Sequence, residues 1–159
     1  MNPCPCGWLG APAGSEKRCR CTPDQIARYQ GRISVPLLDR IDMRVEVPAA
    51  PAQQMLAGGD GEASATVAQR VARSRERQLQ RQGVVNAELT PAQIDAHCAL
   101  NGPTSQFAQR AATHMGWSGR SLHRVMKVAR TIADLTGQAS IDANHLGEAM
   151  QLRRELPER

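Results

Sequence analysis

The sequence predicts an all-α protein whose main domain is a bundle of about five helices. Aromatic residues make up only 3% of the 159 residues, so the core must be built from Ala, Val, Leu, Ile and Met, which suit helices better than sheets. From residue 63 onward, apolar residues recur with the helical period, and capping signals stand between the periodic stretches. We place the helical domain at residues 63–159, after a linker at residues 48–62 that is rich in Pro, Ala and Gly.

Residues 1–47 carry a Cys-rich start, one predicted helix and one predicted strand. Thr22-Pro23-Asp24-Gln25 predicts a capped helix over residues 23–30 that stops at Gly31. Residues 43–47, before Pro48, predict the strand. Because one strand is not stable alone, we interpret this part as a short, poorly ordered remnant of a larger α/β domain. An independent zinc knuckle is the alternative.

The first helix of the bundle is predicted over residues 63–82, with its end at Gly83. Five arginines, at positions 70, 73, 75, 77 and 81, occupy most of its surface. Its thin apolar stripe consists of Val67, Ala68, Val71, Ala72 and Leu79. The second helix begins at another capping box, Thr90-Pro91-Ala92-Gln93, and turns Ile94 and Cys98 inward.

Three further helices complete the predicted bundle. The third, over residues 104–115, places Phe107, Ala111 and Met115 on one apolar face. The fourth, over residues 119–136 after a Ser118 cap, has the strongest period, and its apolar stripe consists of Leu122, Val125, Met126, Ala129, Ile132 and Ala133. The fifth starts at an Asp142 cap and carries Leu146, Ala149 and Met150. Together these stripes predict one core.

The face of the fourth helix opposite its apolar stripe is basic. Arg120, Arg124 and Lys127 lie within about 60° of each other on a helical wheel. Arg130 and Asp134 flank them as an i, i+4 pair. A solvated basic face is the simpler interpretation. The alternative is that Arg120, on the first turn, faces an anion, because a helix N-terminus attracts negative charge and a guanidinium matches phosphate oxygens.

Four of the five cysteines form two pairs, Cys4-x-Cys6 and Cys19-x-Cys21, with twelve residues between them. Four thiolates can hold Zn²⁺ tetrahedrally, and both a structural zinc site and free thiols remain open. Cys98 is expected in the core. The histidines at 97, 114, 123 and 145 show no ligand spacing and are expected at the surface.

Charge and composition limit the class of protein. A net charge of +5 favours a polyanionic partner, but only weakly. No segment approaches the roughly 18 apolar residues that a membrane helix needs, and the first residues lack the pattern of a secretory signal. We therefore expect a cytoplasmic protein with reduced thiols and no membrane partner.

Residues 117–135 (WSGRSLHRVMKVARTIADL) resemble the sensor-2 helix of the Mg-chelatase-like AAA+ ATPases, the ComM/YifB family. Further segments resemble that family in the same order: residues 1–7 (MNPCPCG) after sensor 1, residues 33–42 (ISVPLLDRID) with the arginine finger, the Arg-rich helix at 67–82, and residues 145–150 (HLGEAM) of the lid. The resemblance covers nearly the whole chain in one register. It departs from the family pattern at Val35, where Gly is usual, and at Trp8, where Tyr is usual.

The resemblance implies a role for two arginines. Arg40 corresponds to the arginine finger, which acts on the nucleotide of a neighbouring subunit, and Arg120 corresponds to the sensor-2 arginine, which contacts the phosphates of its own ATP. It also implies ATP and Mg²⁺ as cofactors, a hexameric ring of subunits, and DNA, single-stranded, as the partner that the full ring moves in the manner of a branch-migration helicase. From the residues alone, a salt bridge from Arg40 to Asp39 or Asp42 is the alternative.

The sequence contains no G-x-x-x-x-G-K-[ST] P-loop and no Walker-B run, and Met1 matches an internal Met of the family. We therefore expect the C-terminal part of a longer AAA+ ATPase, with residues 1–47 as the end of its core and residues 63–159 as its lid. On its own this part is expected to be monomeric and without ATPase activity. The rival hypothesis is a small basic helical DNA-binding or adaptor domain that acts without nucleotide.

Overall fold

The structure, a computed structural model, describes residues 2–11, 17–47, 50, 56 and 61–153. Within these ranges the regular elements are seven α-helices and one 3₁₀ turn, which confirms the all-α prediction. The helices are α1 (Pro23–Gln30), α2 (Val35–Arg40), α3 (Ser64–Gln82), α4 (Pro91–His97), α5 (Gly102–His114), α6 (Gly119–Thr136) and α7 (Ala143–Gln151), and the 3₁₀ turn is Asn86–Glu88. No described helix has both the length and the apolar character needed to cross a bilayer.

The chain divides into two compact units. The first consists of Met1–Ile41 and Glu46–Gly58, and the second of Asp42–Val45 and Gly59–Arg159. The first unit contains α1 and α2. The capping box of α1 forms as predicted, because the Thr22 side chain accepts from the Gln25 amide while the Gln25 side chain accepts from the Thr22 amide.

Two elements near the unit boundary differ from the prediction. Helix α2 was not predicted; the Ser34 side chain caps it by accepting from the Leu37 amide, and Pro36 fits its first turn. The strand predicted at residues 43–47 is wrong, since these residues form no strand. The described part of the chain offers them no strand to pair with, and an unpaired strand has no ladder of hydrogen bonds to stabilise it.

Helix α6 is the central element of the second unit and packs against α3, α4, α7 and the 3₁₀ turn. The predicted stripe of α6 largely faces the core, with Val125 and Ala129 almost fully buried. Leu89, Ile94, Cys98, Ala108, Ile132, Ala133, Ile141, Leu146, Ala149 and Met150 complete the buried cluster. The core is therefore the single bundle core that the sequence predicts.

Two helices turn different faces inward than predicted. The buried residues of α3 are Ser74 and Gln78, whereas Val71 and Leu79 of the predicted stripe are 52% and 43% exposed. In α5, the inward residues are Thr104 and Ala108. The predicted Phe107 and Met115 are 39% and 40% exposed, because the small side chains at 104 and 108 face the core instead.

The face that α3 turns to α6 is polar because it surrounds a buried carboxylate, Asp134. Arg81 donates to both carboxylate oxygens, at 2.6 and 3.0 Å, and the Asn86 amide nitrogen donates to Oδ2 at 2.9 Å. Arg130, which is only 2% exposed, donates to Oδ1 at 3.0 Å. The predicted i, i+4 pair of Arg130 and Asp134 is confirmed, but it is buried and does not flank a solvated face. Asp134 also joins α6 to α3 through its ion pair with Arg81.

His145 is also buried, which contradicts its predicted surface position. It lies in the first turn of α7, and its Nδ1 accepts from the Asp142 amide at 3.1 Å while the Asp142 side chain accepts from the His145 amide at 3.0 Å. The imidazole Nε2 is 3.1 Å from Thr136 Oγ1. The Asp142 cap was predicted; the second half of this capping box, with His in place of the usual Glu or Gln, was not.

Candidate functional site

Arg120 lies on the first turn of α6, at a helix start that is fixed by a side-chain cap. Ser118 Oγ accepts from the Ser121 amide at 3.2 Å, as the sequence predicts. The Arg120 side chain is exposed, and within the described part of the chain it forms no hydrogen bond or ion pair. A guanidinium in this position, beside the free N–H groups of an 18-residue helix, can bind an anion.

The other two cations of the predicted basic face are engaged within the protein. Arg124 forms an ion pair with Asp42, and Lys127 Nζ donates to the Ala87 carbonyl at 2.9 Å. The structure thus separates the face into two bound cations and one exposed guanidinium. This difference favours Arg120 over its neighbours as a ligand-binding side chain.

Arg153 contacts the first turn of α6. This residue is only 7% exposed, and its Nη2 donates to Ser121 Oγ at 3.2 Å. The Ser121 hydroxyl is in turn 3.3 Å from Ser118 Oγ, the capping oxygen. Sequence reasoning missed Arg153 because it follows α7, 32 positions after Ser121, and no local pattern connects the two.

Arg40 is the last residue of α2 and its side chain is exposed. It lies in the first unit. Asp42, one of the two carboxylates considered as its partner, accepts from Arg124. The structure therefore places the predicted finger at the end of the short helix α2.

The four paired cysteines come together in the first unit. The Sγ atoms of Cys4 and Cys6 are 3.4 Å apart, and that of Cys19 is 3.7 Å from each of them. With Cys21, all four Sγ atoms lie within 4.8 Å of one another. A tetrahedral site with Zn–S bonds of about 2.3 Å has sulfur–sulfur separations of about 3.8 Å, so the cluster has the size that zinc requires.

A metal binds thiolates, and the four thiols differ in pKa: that of Cys6 is lowered, whereas burial and the neighbouring thiols raise that of Cys21 to about 12. Hydrogen bonds from the Trp8 and Arg20 amides lower the pKa of Cys6 to about 6. The loop is shaped by Gly7, whose φ of 80° suits glycine and whose amide donates to the Cys4 carbonyl at 3.1 Å. Gln30, at the end of α1, donates to the Pro3 carbonyl at 3.0 Å and ties that helix to the loop.

The remaining thiol and the histidines do not join a metal-ligating group in the described residues. Cys98 is fully buried in the bundle core, as predicted, and burial raises its pKa to about 11. Such a thiol is inert packing rather than a ligand or a nucleophile.

Comparisons with known proteins identify two adjacent matches. The family described as magnesium chelatase, subunit ChlI C-terminal, matches residues 61–153, and the family described as magnesium chelatase, subunit ChlI, matches residues 1–55. The competence protein ComM of Haemophilus influenzae is 42% identical over 154 residues, which are 96% of this chain and 29% of that protein. The uncharacterized YifB proteins of Escherichia coli and Salmonella typhimurium are 41% and 40% identical over the same shares. The chain thus spans less than a third of the length of these relatives.

Proposed function

The chain belongs to the magnesium chelatase ChlI family, and from that premise we propose that it supplies the arginine finger and the sensor-2 lid of an ATP-driven motor. The proposed motor is a hexameric ring that uses ATP and Mg²⁺ and moves along DNA. The observation that carries the proposal is the exposed Arg120 guanidinium on the capped first turn of α6. In this proposal residues 1–47 are the end of the ATPase core, 48–62 the linker and 63–159 the lid.

The position of Arg120 suits a nucleotide phosphate. Phosphoryl transfer spreads negative charge over the γ-phosphate oxygens, and a positioned guanidinium offsets that charge. Because α6 runs through the bundle core, its first turn is fixed by packing as well as by Ser118. A movement of the lid would therefore carry Arg120 toward or away from the phosphate, while the packing and the Ser118 cap that hold its helix turn stay unchanged.

Arg40 is proposed to act in trans, on nucleotide bound by the neighbouring subunit. Its exposed place at the end of α2 supports this role, since a finger must extend beyond its own subunit. Fingers of this kind contribute about 10³–10⁵ to the rate of phosphoryl transfer. For the isolated chain we propose no turnover, because its 159 residues contain no P-loop sequence.

We propose that Cys4, Cys6, Cys19 and Cys21 hold one structural Zn²⁺. The sulfur separations support a closed four-ligand site, and the amide hydrogen bonds favour the thiolate of Cys6. The ion would supply cross-linking and no chemistry. It would join the loop at residues 4–7 to the segment before α1 and so fix the approach to α2, which carries Arg40.

The test of Arg120 uses a chimera in which this chain replaces the matching segment of the Haemophilus influenzae relative. We expect Arg120→Ala to reduce ATP turnover by at least about a hundredfold, the usual cost of one transition-state donor. Arg110→Ala is the matched control, because Arg110 is an exposed helical arginine of the same unit. Equal turnover in the two variants would contradict the role of Arg120.

The test of Arg40 uses mixed rings. Arg40→Ala subunits retain an intact P-loop, and subunits with a substituted P-loop lysine retain the finger. If the finger acts in trans, a mixture of the two inactive variants regains part of the turnover. The reason is that some subunit interfaces then combine an intact P-loop with an intact finger. A mixture as inactive as its components would overturn the assignment in trans.

A further inference from the structure

The first unit carries a concentration of positive charge around its cysteine cluster. Five basic residues and one acidic residue lie between positions 17 and 32, although the net charge of the whole chain is only +5. All five basic side chains are exposed. We call them the basic rim: Lys17, Arg18, Arg20, Arg28 and Arg32.

Contacts within the first unit connect the rim to the first cysteine pair. The amides of Trp8 and Arg20 both hydrogen-bond the Cys6 thiol, so two backbone segments meet at one sulfur. The Gln30 side chain donates to the Pro3 carbonyl at 3.0 Å and attaches the end of α1 to the same loop. The rim residues therefore belong to one small structure around the cysteine cluster.

Carboxylates do not neutralise the rim. In the described part of the chain, Arg18, Arg20 and Arg28 form no ion pair, whereas Arg81 and Arg130 of the helical unit share a buried carboxylate. A Zn²⁺ with four thiolates would carry about two negative charges, and the five cations of the rim exceed these and the one acidic residue together. The surface is therefore positive and suits a polyanion.

Two aromatic side chains lie among these cations. Lys17 Nζ is 4.7 Å from the centroid of the Trp8 ring, and the Arg32 guanidinium is 5.8 Å from the centroid of the Tyr29 ring. Trp8 nevertheless remains 39% exposed. Exposed aromatic rings beside cations suit a single-stranded nucleic acid, because its bases can stack on the rings while its phosphates contact the cations.

Resting on the proposed function for DNA as the partner, we propose that Trp8 and the basic rim form a binding surface for single-stranded DNA. One base stacks on Trp8, and the rim arginines contact the phosphates on either side of it. The surface belongs to the first unit alone, and no residue of the helical unit is part of it. The bases of a duplex are stacked on one another, so they are not available to Trp8.

The first experiment titrates the 159-residue chain against a labelled thymidine oligomer of about 20 nucleotides, followed by fluorescence anisotropy. It is done at about 50 mM salt, where a few phosphate contacts give measurable binding. We expect Trp8→Leu to weaken binding about fivefold or more, the usual effect of losing one stacking ring, and Trp8→Tyr to keep most of the affinity. Equal affinity of the wild type and Trp8→Leu would overturn the proposal.

Two further readouts exclude a merely structural role of Trp8. The oligomer is expected to quench the tryptophan emission of the wild type but not that of Trp8→Tyr, in which Trp117 is the remaining tryptophan. Binding of the same oligomer annealed to its complement is expected to be unchanged by Trp8→Leu. An equal loss for single strand and duplex would overturn the stacking and with it the proposal.

The second experiment tests the rim by the salt dependence of binding. We expect the triple variant Arg18→Ala, Arg20→Ala and Arg28→Ala to reduce the slope of log K against log salt by about 2. The reason is that each phosphate contact with a single strand contributes about 0.7 to this slope. An unchanged slope would overturn the rim as the phosphate-binding surface.

The matched control removes the same charge from exposed positions of the helical unit, through Arg73→Ala, Arg75→Ala and Arg110→Ala. We expect this variant to keep the wild-type slope. A reduced slope in the control and not in the rim variant would assign the DNA contact to the helical unit and overturn the proposal.

These titrations need no ATP turnover, so the surface and the motor can fail separately. If Arg40→Ala and Arg120→Ala abolish turnover in the chimera while Trp8→Leu binds the oligomer as the wild type does, the motor stands and the surface is overturned. If Arg40→Ala and Arg120→Ala both retain full turnover while Trp8→Leu loses binding, the surface stands and the proposed motor fails.

Discussion

Asp134 is a charged residue that lies buried in the helical unit. Its carboxylate is 1% exposed and is bound by Arg81, Arg130 and Asn86. Arg130 also donates to the Gln138 and Ala139 carbonyls, at 2.7 and 2.8 Å. A buried charge is tolerated only when its partners are all present, so the loss of one member leaves the others desolvated and unpaired.

We expect Asp134→Ala to lower the free energy of unfolding by about 3–5 kcal/mol, the usual effect of removing one partner from a buried ion pair. Asp95→Ala, at an exposed position on α4, is expected to change it by less than about 0.5 kcal/mol. Urea denaturation of the two variants measures the difference. Similar midpoints would mean that water reaches the network and that the carboxylate is not buried in solution.

The same residue predicts a pH dependence. Burial by itself raises the pKa of Asp134, but the hydrogen bonds from Arg81 and Asn86 and the charge of Arg130 outweigh it, and the pKa is lowered. A carboxyl with a lowered folded-state pKa contributes stability above its unfolded value, about 3.9, and this stability is lost as the pH falls through the folded value. We therefore expect the wild-type advantage over Asp134→Asn, measured by urea midpoints, to shrink as the pH is lowered below about 4. An advantage that grows on acidification would contradict the sign.

At the scale of single elements, the end of α6 combines two constraints at Gly137. Its φ is 79°, and a Cβ there would lie 3.3 Å from Nη1 of Arg77, which donates to the Asp134 carbonyl at 2.6 Å. Gly83, which ends α3, has a similar φ of 75° but nothing within 4 Å of the Cβ position. The two helix ends thus differ in crowding and not in backbone conformation.

We expect Gly83→Ala to cost about 1–2 kcal/mol of unfolding free energy, from left-handed backbone strain alone. Gly137→Ala is expected to cost more, because Arg77 must also shift and weaken its bond to the end of α6. Chemical denaturation of both variants gives the comparison. Equal losses would show that Arg77 moves aside without cost.

The Cys-rich segment gives the next prediction. We expect the purified chain to hold about one Zn²⁺, and Cys19→Ser to abolish binding, because a structural zinc site needs four ligands. Cys98→Ser is the control, because Cys98 lies in the bundle core. We expect this variant to retain the metal. Elemental analysis after chelator-free purification measures both. A metal-free wild type would favour the free-thiol alternative.

Capping residues and hydrophobic periodicity predicted most helices of the bundle. They predicted less well which face of a helix turns inward, because that depends on polar contacts between distant parts of the chain. The caps at Thr22, Thr90, Ser118 and Asp142 formed as expected because capping depends on residues three positions apart. The inward face of α3 was missed because it is polar: Gln78 accepts from the Asn86 amide, and Arg81 binds Asp134, 53 positions away. Hydrophobic periodicity registers only apolar residues.

The candidate site divides in the same way. The helix-start position of Arg120 follows from the sequence, and the Cys pairs already suggested a cluster. Arg153 gave no signal, and Asp42 was considered only as a partner of Arg40, because each binds a residue on a distant part of the chain. Arg40 owed its prediction to the family resemblance alone, since a short α2 had not been expected around it.

At the scale of the whole molecule, the formal charge of +5 does not tell which cations are exposed and available to a polyanion. In the described residues, Arg81 and Arg130 share Asp134, Arg70 binds Glu62 and Arg124 binds Asp42. These contacts use several of the arginines that made a DNA-binding domain attractive as the rival hypothesis. A self-sufficient DNA-binding surface would have to be built from the arginines that remain exposed, such as Arg73 and Arg75 of α3.

Titration of DNA with the isolated chain at two salt concentrations separates the rivals. If the chain is one part of a ring, we expect only weak binding at physiological salt, about 10⁻⁴ M or weaker, because one subunit offers few phosphate contacts. The observed binding constant would then fall with salt with a logarithmic slope of about −0.9 for each contact. For a self-sufficient domain, we expect micromolar or tighter binding at the higher salt, with Arg73→Ala or Arg75→Ala reducing the slope by about 1 each. Glu62→Ala is the control, because it removes no positive charge. Tight binding that depends on the α3 arginines would contradict the lid as a complete account of the chain.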